Sequence, residues 1–198
     1  MEVGLLSGAP DLSIHKATER NRRLVHFAFG ACALLIGPLG SAGSAVLAGA
    51  ALLYNAVLAP LLGLDRGYRR AGEGWWGGLT TYPLAVLLLV VLTPPQVAAG
   101  SWVVLATVDP VAAAVGSRRP RPRVPLNPSK SLVGTTAGFL AGALTCSGLF
   151  LLLGEAHAWP AAAGAAAAGA VAEALPLPFE DNLTVAAAAA FALLPWFA

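Results

Sequence analysis

The chain has 198 residues, of which 57% are apolar and 11% charged, and its mean hydropathy is +0.72. Soluble domains carry about a quarter of their residues charged, so this composition excludes an ordinary cytosolic domain, a disordered chain and a coiled coil. Twelve basic and ten acidic residues leave a net charge of +2, which gives no reason to expect nucleic acid as a partner. What matters is where those charges sit.

The first 18 residues hold no long apolar run, so no cleavable signal peptide is predicted. Seven apolar stretches follow, each near the roughly 20 residues needed to cross a bilayer: Leu24–Leu39, Ala42–Leu62, Leu79–Thr93, Gln96–Gly116, Ser131–Leu153, Ala158–Leu175 and Asn182–Phe197. Glycine, proline or charge marks each break, at Gly37-Pro38, 63–78, Pro94-Pro95, 117–130, 154–157 and 176–181. Backbone polar groups in lipid must be satisfied within the segment, so these stretches are predicted as helices despite their valines and glycines. The expected fold is therefore all-α, a polytopic bundle of about seven transmembrane helices spanning 1–198 as one integral-membrane domain. With the N-terminus in the cytoplasm, all twelve basic residues fall in the inside segments 1–23, 63–78 and 117–130, and the outside loops have none. That obeys the positive-inside rule without exception and places the C-terminus outside.

The polar clusters, in chain order, begin with Glu19, Arg22, Arg23 and His26. Their i, i+3, i+4, i+7 spacing puts a carboxylate, two guanidiniums and an imidazole on one helical stripe. A membrane anchor with a Glu19–Arg23 pair explains the arginines but not His26. Trp75, Trp76 and Tyr82 suit an interfacial aromatic belt and no chemistry. Asp109 lies inside an apolar span about two turns before its cytoplasmic end, where a lone carboxylate is costly unless paired, solvated or bound to a cation. Ala112, Ala113 and Gly116 clear space beside it, and Pro110 is expected to kink or break the helix. An arginine-paired structural carboxylate is the alternative.

The loop 117–130 is basic and interleaved with prolines; Arg118–Arg123 suit the steering of an anionic ligand, and a solvated membrane-surface loop explains them equally well. It ends at Lys130-Ser131, where a lysine, a hydroxyl and the N–H groups of a helix start suit an anion such as phosphate. No P-loop is present. Gly134, Gly138 and Gly142 form a smooth stripe expected to serve packing. Cys32 and Cys146 lie alone in apolar runs and carry no disulfide or zinc pattern. Glu173, Glu180 and Asp181 put three acids within nine residues, more than capping by Asp181 and Asn182 requires. Asn182-Leu183-Thr184 matches a glycosylation sequon by accident, given its inside position. One membrane face thus gathers carboxylates, a lysine, arginines and a histidine. Hard carboxylate oxygens suit Mg²⁺, Lys and Arg suit phosphates, and phosphoryl transfer needs mainly positioning and charge neutralisation.

Glu19-x-x-Arg22-Arg23-x-x-His26 resembles the E-x-x-R-K-x-x-H opening of the polyprenol, phytol and dolichol kinases. Asp109-x-x-Ala112-x-x-x-Gly116 is similar to their D-x-x-A-x-x-x-G segment, Lys130-Ser131-x-x-Gly134 to K-S-x-x-G, and Asp181-Asn182-Leu183-Thr184-Val185 to D-N-x-T-V-P. The four occur in family order over residues 19–186. Arg23 replaces a lysine, Pro110 follows the aspartate, and Ala186 stands for the final proline. The resemblance implies a CTP-dependent kinase of the plasma membrane, active on its cytoplasmic face, that phosphorylates an isoprenoid lipid alcohol. Asp109 and Asp181 would hold Mg²⁺; Arg22, Arg23, Lys130, Ser131, Gly134 and Asn182 would bind the nucleotide phosphates or their metal shell. Glu19, Glu173 or His26 would take the hydroxyl proton. A cytidylyltransferase forming a CDP-lipid and a small carboxylate-lined transporter are the alternative readings.

Overall fold

The computed structural model describes residues 12–66, 68–69, 74, 77–117 and 122–197, with side chains from Ala17 onward. Trp75, Trp76, Arg70, Arg118, Arg119 and Arg121 lie outside the described residues, so the belt and most of the basic loop are not located. The protein is an all-α membrane protein, with one small hairpin added.

Helix α1 (Leu12–Gly30) begins well before the apolar run, because the polar stripe from Glu19 is itself helical. A 3₁₀ turn (Ala31–Leu35) leads into α2 (Ile36–Leu53), which continues through a π-helical turn (Tyr54–Leu58) and the short α3 (Ala59–Leu61). The break expected at Gly37-Pro38 falls instead at Gly40, whose φ of 65° and ψ of 176° are open to glycine and strained for other residues. Pro38 is accommodated in the first turn of α2, where a missing N–H leaves no bond unmade. The chain folds back here. His26 and Tyr54 line one cavity, whereas 28 residues of straight helix would hold them about 42 Å apart.

The remaining helices follow the predicted spans to within a residue or two: α4 (Gly78–Leu92), α5 (Pro95–Gly116), α6 (Leu132–Leu152), α7 (Ala158–Ala174) and α8 (Asp181–Phe197). Pro110 does not break α5, which runs on to Gly116. Three stretches are long and apolar enough to cross a membrane: Ala17–Leu61, bent at Gly40, Pro95–Gly116 and Leu132–Leu152. Helices α4 and α8 are apolar but shorter, at 15 and 17 residues.

Helix α5 is the axis of the bundle, packed against α1, α4, α6, α7 and α8. Alanines let α7 approach closely, with Ala161, Ala162, Ala165 and Ala166 wholly buried. The periphery is the reverse: Leu88, Val91, Leu140, Leu144, Leu151 and Phe191 stand exposed, a surface that lipid solvates and water does not. Tyr82 is not an interfacial residue as expected. It is buried on α4, its ring stacked on His26 at 4.3 Å, and its hydroxyl donates to the His26 carbonyl and accepts from Trp102 Nε1.

Between α5 and α6 the basic segment forms an antiparallel hairpin, β1 (Arg123–Val124) with β2 (Asn127–Ser131). Val124 tucks inward and anchors it. The hairpin is a departure from the all-helical expectation, and it aims Lys130 back at the bundle.

Candidate active site

One end of the bundle opens into a polar cavity of about 780 Å³. Five separate parts of the chain build it. Helix α1 supplies Glu19, Arg22 and Arg23; α5 supplies Asp109 and the small residues Ala112, Ala113 and Gly116. The hairpin supplies Arg123, Ser129, Lys130 and Ser131, α7 supplies Glu173, and the entry to α8 supplies Glu180, Asp181 and Asn182.

The glycine stripe of α6 explains how Asp109 and Lys130 come together. A methyl group on Gly134 would lie 2.5 Å from the Ala112 carbonyl oxygen, and one on Gly138 would lie 2.7 Å from that of Val108. Without side chains there, α6 packs directly on the α5 backbone that carries Asp109, and Ser131 Oγ is drawn beside Gly116. Ser131 also caps α6, its hydroxyl accepting from the Gly134 N–H at 3.0 Å. That amide is thus engaged in the cap, and Gly134 serves the helix contact rather than the cavity wall.

Lys130 is the electrostatic centre. Its Nζ donates to Glu173 Oε1 at 2.6 Å and to Asp181 Oδ2 at 3.1 Å. Burial alone would lower the lysine pKa, but Glu173, Asp181 and Asp109 together raise it above the ordinary value. The side chain is therefore a fixed cation at neutral pH. Glu173 is almost wholly buried, and its second oxygen, Oε2, has no hydrogen-bond partner. Asp109 makes no hydrogen bond or ion pair among the described residues, which leave out Arg118, Arg119 and Arg121.

The opposite wall is organised by Glu19, whose Oε1 accepts from Arg22 Nη2 and Arg23 Nε, both at 3.1 Å. Arg22 Nε is buried and unpartnered. The guanidinium lies against Gly78 at the start of α4, where a methyl group would overlap Nη1. Asn182 Nδ2 donates to Thr81 Oγ1 at 2.9 Å and to the Gly78 carbonyl at 3.4 Å, tying α8 to α4, while Thr81 donates to Glu180 Oε2 at 3.3 Å.

Nine of the singled-out residues therefore share one cavity: Glu19, Arg22, Arg23, Asp109, Lys130, Ser131, Glu173, Asp181 and Asn182. His26 does not. It lies one turn beyond Arg22 and lines a second, apolar cavity instead. Sequence reasoning put Arg123 in a loop suited to steering an anionic ligand and Ser129 in the Lys130 cluster without giving either a role, left Glu180 as one acid in a cluster, and passed over Thr81, which braces Asn182 and Glu180. The triple acid around Glu180 was a usable signal, whereas Arg123 and Ser129 depend on the hairpin and Thr81 on helix packing. Among the described residues no three His, Cys, Asp or Glu side chains are grouped to hold a metal by themselves. Among the described residues the lining carries five carboxylates and four cations.

No family model matches the chain, and no solved structure matches it. A CTP-dependent diacylglycerol kinase 1 from Schizosaccharomyces pombe is 28% identical over 94 residues, covering 48% of this chain and 40% of that protein. The chain thus matches well under half the length of this curated relative.

Proposed function

We propose that the protein is a CTP-dependent lipid kinase, moving the γ-phosphoryl group of CTP to the hydroxyl of a membrane lipid alcohol at the polar end of the bundle. The observation that carries this reading is the convergence of Asp109, Lys130, Glu173 and Asp181 with Arg22 and Arg23 on one cavity beside the membrane-spanning core. Similarity to a protein named as a CTP-dependent diacylglycerol kinase supports the nucleotide and the lipid class. The motif resemblance adds an isoprenoid alcohol as the finer expectation, with the cytoplasmic leaflet of the plasma membrane as its place.

Among the described residues the lining holds more carboxylates than cations, and such a set does not attract a triphosphate unaided. That imbalance fits Mg²⁺, which binds through one or two carboxylates plus substrate phosphates and needs no three-acid cluster. Asp109, which makes no hydrogen bond or ion pair among the described residues, and Asp181 are the residues to hold it; when bound, the ion neutralises phosphate charge. Lys130 and Arg22 bind phosphate oxygens, Arg22 through a fork whose Nε is unpaired. The lipid oxygen attacks the γ-phosphorus as the bond to the β-phosphate oxygen breaks, giving CDP and lipid phosphate. The hydroxyl proton passes to Glu173, whose Oε2 is uncommitted, rather than to Glu19, whose Oε1 already accepts from two guanidiniums.

Asp109→Asn keeps the shape of the side chain and removes its charge. Purified variant incubated with CTP, Mg²⁺ and lipid alcohols should unfold at the wild-type temperature and form no lipid phosphate. Near-normal turnover would remove Asp109 from the site.

A further inference from the structure

A second cavity, of about 520 Å³, adjoins the first. Its walls come from α1 (His26, Phe29), α2 with its π-helical turn (Ala51, Tyr54), α4 and α5 (Trp102). Its lining is mainly apolar, and its volume lies within the range of about 300–1,000 Å³ usual for ligand sites. Arg22 is the residue on both cavities. It is more than nine-tenths buried, and its Nε has no partner. From Arg22 to Phe29 the lining descends seven residues along α1, about 10 Å of helical rise into the apolar depth. Tyr82, Trp102 and His26 are fastened to one another on the wall, so it is a formed surface rather than a gap between loose side chains. The Tyr54–Leu58 turn contributes Tyr54 and Asn55, and π-helical turns of this kind are frequent at functional sites.

We infer that this cavity holds the hydrocarbon tail of the acceptor alcohol, with the hydroxyl directed past Arg22 to the phosphate site. The inference rests on the kinase reading for the identity of the alcohol, and on the cavity for its place. The polar site is reached from this cavity at Arg22, so the occupant is an apolar chain ending in a hydroxyl.

The test uses full-length protein in nanodiscs and a long-chain isoprenoid alcohol carrying a diazirine in its tail, photolysed without nucleotide. Labelled peptides should map to α2 around Ala51 and to α1 around Phe29, and unlabelled isoprenoid alcohol should displace the label. Ala51→Phe, which intrudes on this cavity and touches no residue of the polar site, should raise the acceptor KM about tenfold or more and leave the CTP KM unchanged. Ala187→Phe, in the separate groove beside Leu88 and Phe191, should leave both unchanged. Labelling in that groove, no displacement by the unlabelled alcohol, or an unaltered acceptor KM in Ala51→Phe would overturn the inference while leaving the kinase reading intact. Specific labelling at Ala51 in a protein that phosphorylates no lipid would uphold the tail site and refute the kinase reading.

Discussion

Lys130 touches two acids brought from positions 43 and 51 residues away, and so joins the hairpin to α7 and α8. Losing one member of such a buried pair is expensive, because the remaining charge is left in a poor solvent; the usual penalty is about 3–5 kcal/mol. Lys130→Met should therefore lower the unfolding temperature in detergent and stop turnover. Adding Glu173→Gln removes the stranded charge, so the double variant should regain stability without regaining activity. Recovery of both would make Lys130 a structural residue only. The residue types were legible in the sequence, since Asp109 in an apolar helix and three acids before α8 need a reason to be there. Their partners were not. Sequence spacing relates residues on one helix, as it does for Glu19, Arg22 and Arg23, but the link from Lys130 to Glu173 crosses 43 positions. His26 shows the limit of spacing: it shares a stripe with Arg22, yet one further turn carries it past the edge of the polar cavity and against Tyr82.

At the scale of the element, the contact of α5 with α6 sets the site. Gly138→Ala places a methyl group 2.7 Å from the Val108 carbonyl oxygen and 3.1 Å from Ala112 Cβ, so the helices must part. Overpacking of this kind costs about 1–3 kcal/mol. Activity should fall by more than the lost stability explains, because Asp109 and Lys130 ride on the separating helices. Gly148→Ala, at a position with open space beside it, is the matched control and should be silent in both thermal unfolding and turnover. Helix ends from α4 onward could be read from proline, glycine and the limits of the apolar runs. The first two helices could not be placed as well. Pro38 signals a break, but it fits the first turn of a helix, and the reversal is made by the left-handed backbone of Gly40. The hairpin escaped notice because prolines at 120, 122, 125 and 128 give a loop signature, and its two-strand ladder is held by Val124 beneath it rather than by any alternation in the sequence.

For the molecule as a whole, the asymmetry of charge is the organising fact. An apolar periphery surrounds a bundle whose polar residues collect at one end, which suits chemistry between a water-soluble nucleotide and a lipid. On the proposed topology, single cysteines placed in a cysteine-free background at Ser129 and Gly154 should differ in reactivity. A membrane-impermeant maleimide added to intact cells should label the Gly154 position, and the Ser129 position only after the membrane is opened. Labelling of both from one side would require a different arrangement of helices. The kinase reading itself turns on the fate of one phosphorus atom. Purified protein given Mg²⁺, lipid alcohol and CTP labelled at either the α- or the γ-phosphate should place γ-label in the lipid and leave α-label in soluble CDP. Transfer of α-label to the lipid, with release of pyrophosphate, or no transfer from either position, would contradict it.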